Sequence, residues 1–186
     1  MNSNIDNKLI VLDIDRTIVH SCLKYFVKDN WIENYKTFNF DAYVIFLRPH
    51  LEKFLNFLKE KKYKVALFTG GDKDYANFIK KNILDKYLNV PLEFVYSRVE
   101  ADESFDFDGK LKSVNYISNQ INIPVENILL IDDANNVKRG NPNNCYQISP
   151  FVVCCEIKHI FVPEMINDNQ LIKCMDWLTS NFDNTM

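Results

Sequence analysis

The chain has 186 residues, 47% of them hydrophobic, with a formal net charge of −3 and an isoelectric point near 5.6. That composition suits a single domain over residues 1–186 with a full core and little room for a second. The acidic balance argues against broad nucleic-acid binding, whose backbone term needs basic charge, although Arg16, Arg48, Arg98, Lys138 and Arg139 remain available for a local patch. The N-terminal MNSNIDNK lacks the apolar stretch of a signal peptide, and no later segment is long and apolar enough to span a bilayer. The expectation is an intracellular protein, nuclear or cytoplasmic, with no membrane partner.

In chain order, the apolar run Leu9–Leu12 reads as a buried strand that ends directly on Asp13, Ile14, Asp15, Arg16 and Thr17. Residues 22–47, rich in aromatics and closing on the β-like run Tyr43–Leu47, read as a small β insertion too short to form a separate helical lid. Leu51, Phe54, Leu55 and Leu58 then recur at helical spacing. Lys64–Thr69 reads as a second strand followed by a tight turn at Gly70 and Gly71, and Tyr75, Ile79 and Ile83 mark another helix. Phe94–Ser97 is the third strand, and Asp72 to Lys110 offers no obvious lid. A helical stripe at Val114, Ile117 and Ile121 leads past Pro124 to a fourth strand, Ile128–Ile131. Pro142 precedes a fifth, Cys145–Ile148, and Leu171, Met175 and Leu178 form a last helix. Strands alternating with helices imply an α/β fold, a central parallel sheet flanked by helices with no large cap domain.

Carboxylates at positions i and i+2 leaving a strand face the same way, and the carboxyl end of a parallel strand is where open α/β sheets place their chemistry. Asp13 and Asp15 would repel each other unless one holds a proton or a cation lies between them. A hard divalent ion such as Mg2+ meets that need and leaves positions for phosphate oxygens. Asp13 could then attack phosphorus, with Asp15 giving a proton to the leaving oxygen and later taking one from water. The plainer reading is that Asp and Thr cap helices and form turns. Two further strand ends and a lysine weigh against it. Thr69 and Gly70 offer a hydroxyl and backbone N–H groups for phosphate oxygens, and Asp132 and Asp133 supply a second acidic pair to complete a metal site. Lys112, with Lys110 as the alternative, is the candidate cation for the charge of a phosphoryl transition state.

His20, His50 and His159 form no ligand pattern, and no Walker-type loop or G-x-S-x-G elbow is present. Cys22, Cys145, Cys154, Cys155 and Cys174 are odd in number and lack C-x-x-C spacing. The expectation is therefore buried, inert thiols, with neither a disulfide framework nor a zinc site.

The four motifs, Asp13 to Thr17, Thr69, Lys112 and Asp132/Asp133, resemble in order those of the haloacid dehalogenase superfamily, whose core is Rossmann-like. LDIDRTIVHS, FLRPHLEKFL, VALFTGGDKDYA and LLIDDANNVKRGNPNNCYQISPF are similar to stretches of one branch, the phosphatases of the RNA polymerase II C-terminal domain, also called NLI-interacting-factor-like phosphatases. The resemblance implies an aspartyl-phosphate on Asp13, acid–base work by Asp15, and a phosphoryl group held by Thr69 and Lys112. It implies Mg2+ on Asp13, the backbone carbonyl of Asp15 and Asp133, with Asp132 assisting or orienting Lys112. The implied substrate is phosphoserine or phosphothreonine in a protein, reached through an open site beside the β insertion. Arg16 stands where the family usually has Glu, which would favour a more acidic or multiply phosphorylated substrate. The insertion differs from the family's hydrophobic substrate pocket, so the polymerase tail is an open question as substrate. Two alternatives stay open: a phosphatase of small phosphates or polynucleotide 3' ends, and a non-catalytic phosphatase-like binding module. Nothing in the sequence fixes the oligomeric state.

Overall fold

The structure, a computed structural model, describes residues 7–89, 91–155 and 160–183, without the side chains of residues 155 and 160. Strand β1 (Leu9–Leu12) is buried along its whole length, as a strand covered on both faces must be. The next segments fold away from it. β2 (Val19–Leu23), the short helix α1 (Asp29–Ile32), β3 (Thr37–Phe40) and β4 (Tyr43–Leu47) make a three-stranded antiparallel sheet in the order β2-β4-β3. This is the expected insertion, beginning three residues earlier than its sequence boundary because Val19 already pairs with Leu47.

Helix α2 (Leu51–Glu60) buries Leu51, Phe54, Leu55 and Leu58 on one stripe and leads to β5 (Lys64–Phe68). α3 (Lys73–Ile79) runs through a wider π turn at Lys80–Leu84 into α4 (Asp85–Tyr87), so the Tyr75, Ile79, Ile83 stripe is one continuous helical stretch. β6 (Val95–Tyr96) is followed by α5 (Arg98–Asp108), α6 (Val114–Ile121), β7 (Ile128–Asp132), α7 (Asn135–Gly140) and β8 (Cys145–Gln147). The chain closes with the hairpin β9 (Cys154–Cys155) and β10 (Ile160–Phe161), then α8 (Gln170–Trp177). α5 carries no apolar stripe that the sequence could reveal, since it buries only Ala101 and Ser104. It starts on a capping box between Ser97 and Glu100 and stops at Gly109, whose φ of 74° favours glycine. No helix among the described residues is long and apolar enough to cross a membrane.

The main sheet is parallel, in the order β6-β5-β1-β7-β8. Alternation along each strand divides the core: Ile10, Leu12, Leu67 and Ile131 pack towards α2, α3 and α8, while Val11, Ala66, Phe68 and Leu130 pack towards α5 and α6. Leu12 is in register with Leu67 on one side and Ile131 on the other. The residues just beyond these partners therefore emerge together at one sheet edge.

A third apolar cluster joins the insertion, through Cys22, Trp31, Val44 and Phe46, to Phe151, Val153 and Cys154. Here one expectation fails. Cys22 and Cys154 form a disulfide across a sequence separation of 132 residues, while Cys145 and Cys174 are buried free thiols. Counting and local spacing do not register a pair that only topology brings together. His20 sits beside this bond, with Nδ1 accepting from the Val153 N–H at 3.1 Å. His159 lies outside the described residues.

Arg48 overturns another expectation. It belongs to no surface patch; its side chain is fully buried and pairs with both oxygens of Asp168, at 2.8 and 3.0 Å. The rest of the guanidinium donates to the carbonyls of Thr17 (2.9 Å), Ser149 (2.6 Å) and, at 3.3 Å, Arg16. One buried cation thus ties the loop after β1 to the segment after β8. Its planar fork of five donors suits that work better than an ammonium would.

Arg48→Ala should cost about 3–5 kcal/mol of stability in urea unfolding, because Asp168 is left buried and unpaired. A loss within 1 kcal/mol, about the worth of a surface pair, would contradict the clamp. His20 provides a pH test. Burial and the Arg16 charge lower its pKa from 6.5 to about 4, so the folded state binds fewer protons than the unfolded state between those values. Its contribution is fully present above pH 6.5 and is lost as pH falls towards about 4. Between pH 7 and 5 the wild type should lose about 2 kcal/mol more stability than His20→Gln. Parallel pH profiles would refute this assignment.

Candidate active site

The loop leaving β1 begins as a continuation of the sheet, with the Asp13 N–H bonded to the Ile131 carbonyl at 3.0 Å. It then wraps around the Ile14 carbonyl, which accepts from the N–H groups of Thr17, Ile18 and Val19. Arg16 adopts a left-handed φ of 61°. Its N–H donates to the Val19 carbonyl and its own carbonyl accepts from Phe151 N–H at 2.7 Å. Lys112 also has a left-handed φ, 52°. Such conformations cost non-glycine residues about 1–3 kcal/mol and persist where surroundings over-determine them, commonly at functional sites.

Those surroundings are visible for Lys112. Ser104, buried in α5, accepts from the Ser113 N–H at 2.7 Å and donates to the Lys110 carbonyl at 3.0 Å. Asn141 donates to the Lys112 carbonyl and accepts from the Val114 N–H. The ammonium, so aimed, contacts Asp13 Oδ1 at 2.5 Å and Asp132 Oδ2 at 2.6 Å, bridging the tips of β1 and β7. Burial opposes its charge, yet the two carboxylates outweigh that and raise its pKa, so Lys112 stays protonated. Asp13 is itself pushed up by burial, with Lys112 pulling the other way and Asp132 adding to the rise. The second oxygen of Asp132 accepts from the Ala134 N–H at 2.8 Å, which orients the carboxylate.

Thr69, almost fully buried at the tip of β5, accepts the Gly71 N–H on its hydroxyl at 3.0 Å. Gly71 packs close to Tyr75: a Cβ there would sit 3.0 Å from the ring, tighter than ordinary van der Waals contact. The Tyr75 hydroxyl lies 2.8 Å from Asp15 Oδ1 and 2.7 Å from Ser21 Oγ. Burial raises the Asp15 pKa, while the hydrogen bonds from Tyr75 and Ser21 hold it down.

Eight of the residues singled out from the sequence line one cavity of about 740 Å³: Asp13, Asp15, Arg16, Thr69, Gly70, Lys112, Asp132 and Asp133. Lys110 does not; it pairs on the surface with Asp108 at 3.7 Å. A second cavity of about 600 Å³ shares Asp15, Arg16, Gly71 and Arg98 with the first, and extends to Phe40 and Tyr43 of the insertion and to Cys154. Arg98 donates to the Gly70 carbonyl at 3.0 Å. Sequence reasoning missed Tyr75, Ser21, Ser104, Asn141 and Arg48 as supporting residues. The partners of Tyr75, Ser21, Asn141 and Arg48 are distant in the chain, those of Ser104 lie six and nine residues on across an irregular loop, and only the S-x-x-E cap of α5 carried a local signal.

The donor chemistry fits a hard cation. One oxygen from each of Asp13, Asp132 and Asp133 lies within 4.8 Å of the others. Asp15 is outside this group, its carboxylate turned to Tyr75. Arg16 adds a loose contact to Asp133 at 3.8 Å. Four carboxylates, Asp13, Asp15, Asp132 and Asp133, against Lys112, Arg16 and Arg98 leave the cavity lining with a formal excess of one negative charge, and the carboxylate oxygens are the hard donors that a divalent ion takes.

Comparison with known proteins agrees with this arrangement. The sequence model of the NLI interacting factor-like phosphatase family matches residues 8–185. The CTD phosphatase-like protein 355R of Invertebrate iridescent virus 3 is 28% identical over 184 residues, covering 91% of this chain and 94% of that protein. Phosphatase PSR1 of Saccharomyces cerevisiae is 28% identical over 131 residues, 68% of this chain but 28% of PSR1. Among solved structures, Fcp1, an essential RNA polymerase II CTD phosphatase, shares the fold with a TM-score of 0.61 at 19% identity. That match takes in 96% of this chain, which spans about half of the Fcp1 chain (51%). With the family match running almost end to end over a sheet whose strand tips carry the acidic motifs, the chain belongs to the NLI interacting factor-like phosphatases, a branch of the haloacid dehalogenase superfamily.

Proposed function

We propose that the protein is a Mg2+-dependent phosphatase of phosphoserine or phosphothreonine in proteins, working through an aspartyl-phosphate on Asp13. The observation that carries the reading is Lys112 held between Asp13 and Asp132 at 2.5 and 2.6 Å, in the lining of a cavity that Thr69 also lines. A binding module has no need to bury a cation and two carboxylates at this cost.

In this reading Asp13 attacks phosphorus as the ester oxygen leaves. Asp15, kept half-buried and hydrogen-bonded to Tyr75, gives that oxygen its proton and later takes one from the water that hydrolyses the acyl phosphate. Lys112, the Thr69 hydroxyl and the Gly70 N–H stabilise charge on the transferring oxygens, where fixed dipoles need no reorganisation. Asp13, Asp133 and the backbone carbonyl of Asp15 would hold Mg2+, which when bound neutralises phosphate charge and fixes the approach of Asp13. Asp132 positions Lys112.

The adjoining cavity supports a polypeptide substrate. It opens beside the reacting groups and offers Phe40 and Tyr43 from the insertion, with Arg16 and Arg98 at the passage between the two spaces. No large cap covers the site among the described residues, so a macromolecular substrate would itself exclude water. The half-exposed Arg16 favours acidic or multiply phosphorylated segments, and an RNA polymerase II C-terminal-domain-like sequence is one class to include.

Asp13→Asn should lower kcat at least about a thousandfold while leaving the unfolding curve near wild type, and unchanged hydrolysis would refute the nucleophile. On a panel of singly and doubly phosphorylated peptides, nucleotides, sugar phosphates and 3'-phosphorylated oligonucleotides, kcat/KM should be highest for peptides. Arg16→Glu should erase the preference for doubly phosphorylated ones. Faster turnover of a small phosphate, or an unaltered preference in the variant, would contradict the respective assignment.

A further inference from the structure

One wall of the second cavity comes from the segment Phe151–Cys154, from which Val152 and Cys154 line the space. Three ties hold it to the loop after β1 and to β2. The Phe151 N–H bonds the Arg16 carbonyl at 2.7 Å, the Val153 N–H bonds His20 Nδ1 at 3.1 Å, and Cys154 is bonded to Cys22. Two of the ties reach neighbours of the reacting groups, since Arg16 lines both cavities and Cys22 sits in β2 one residue from Ser21, which bonds the Tyr75 hydroxyl. His20, Cys22 and Cys154 are also close enough to suit a soft metal, but with the sulfurs joined they form a cross-link rather than a set of thiolate ligands.

The geometry points to the Cys22–Cys154 bond as a thiol–disulfide site that sets the shape of the peptide-binding wall, and so regulates recognition of protein substrates without touching the phosphoryl chemistry. This inference rests on the phosphoprotein reading above. Cys22 is 1% exposed and packed in the insertion's core, while Cys154, although only 2% exposed, lines the cavity. A small thiol entering there meets Cys154. Its thiolate attacks the Cys154 sulfur, the S–S bond breaks, and Cys22 leaves as a thiolate that takes a proton. A second small thiol then attacks the mixed disulfide, freeing Cys154 as a thiol and releasing the small disulfide. Overall, one protein disulfide and two monothiols give one protein dithiol and one small disulfide; the reverse needs a small disulfide such as oxidised glutathione. In the dithiol form the wall keeps its Phe151 and Val153 hydrogen bonds and loses its covalent tie. Among the described residues no hydrogen bond or ion pair joins Asp13, Lys112 or Asp132 to it, their links running through β1, α5 and β7.

The test uses the full chain with Mg2+, prepared with oxidised glutathione or with dithiothreitol, and two substrates: a phosphoserine peptide and an aryl phosphate. Alkylation and mass spectrometry should find Cys22 blocked in the first preparation and labelled in the second. Reduction should raise the peptide KM about fivefold and leave aryl phosphate turnover within about twofold. Cys22→Ser should show the high peptide KM in both preparations; because that variant could lose stability, the reduced wild type supplies the same comparison without a substitution. A labelled Cys22 in the oxidised preparation, or equal peptide KM in the two forms, overturns this inference while leaving the phosphoprotein reading intact. Hydrolysis of the aryl phosphate with no peptide turned over in either form overturns both.

Discussion

Burying Asp13 and Asp132 side by side is unfavourable unless a cation lies between them, and Lys112 is that cation. Much of the surrounding architecture is arranged around this contact. Parallel pairing of β1 with β7 brings the two carboxylates to adjacent strand tips, and Leu12 in register with Ile131 puts them level. The lysine comes from a different layer, on a left-handed residue ahead of α6, and it is held there by Ser104 and Asn141. A buried ion triad contributes little to stability for its own sake, so its presence is better explained by what the charges do at the cavity they line.

The same sheet edge explains why the strands and the principal site residues were legible in the sequence. A buried parallel strand is a short unbroken apolar run, and the first polar residue after it is where the chain emerges. Asp13, Thr69 and Asp132 could each be read from that change of character, as could the five strands and the stripes of α2, α6 and α8. α5 was not legible, because its two buried residues, Ala101 and Ser104, make no hydrophobic stripe; nor was the short α7, which buries only Val137. Lys112 was preferred for its place just before the helix leading to the fourth strand, but Lys110 stayed open beside it, since both are lysines in one loop and the backbone turn that selects between them is a tertiary effect.

The failures share one cause. Arg48 and Asp168 are 120 residues apart, and Cys22 and Cys154 are separated by 132. A basic residue in a surface-like sequence context and an odd cysteine count gave no hint of either partnership. Both connect the loop after β1 and the insertion to the segment after β8, a junction that no strand of the main sheet bridges and that is held by these pairs together with the backbone bond from Phe151 N–H to the Arg16 carbonyl. Closure there fixes Arg16 and the cavity wall, so the residues hardest to read were those that give the site its outer shape rather than its chemistry.

The central claim is that the acidic cluster and Lys112 bind a divalent cation and a phosphoryl group together, with Asp13 as the acceptor. Its most direct measurement is a crystal structure of the protein soaked with Mg2+ and beryllium fluoride. The account predicts a fluoroberyllate on the Asp13 carboxylate in contact with Lys112 and Thr69, and a cation shared by Asp13 and Asp133. An analogue bound away from Asp13, or a cation seated elsewhere with the cluster unchanged, would contradict it.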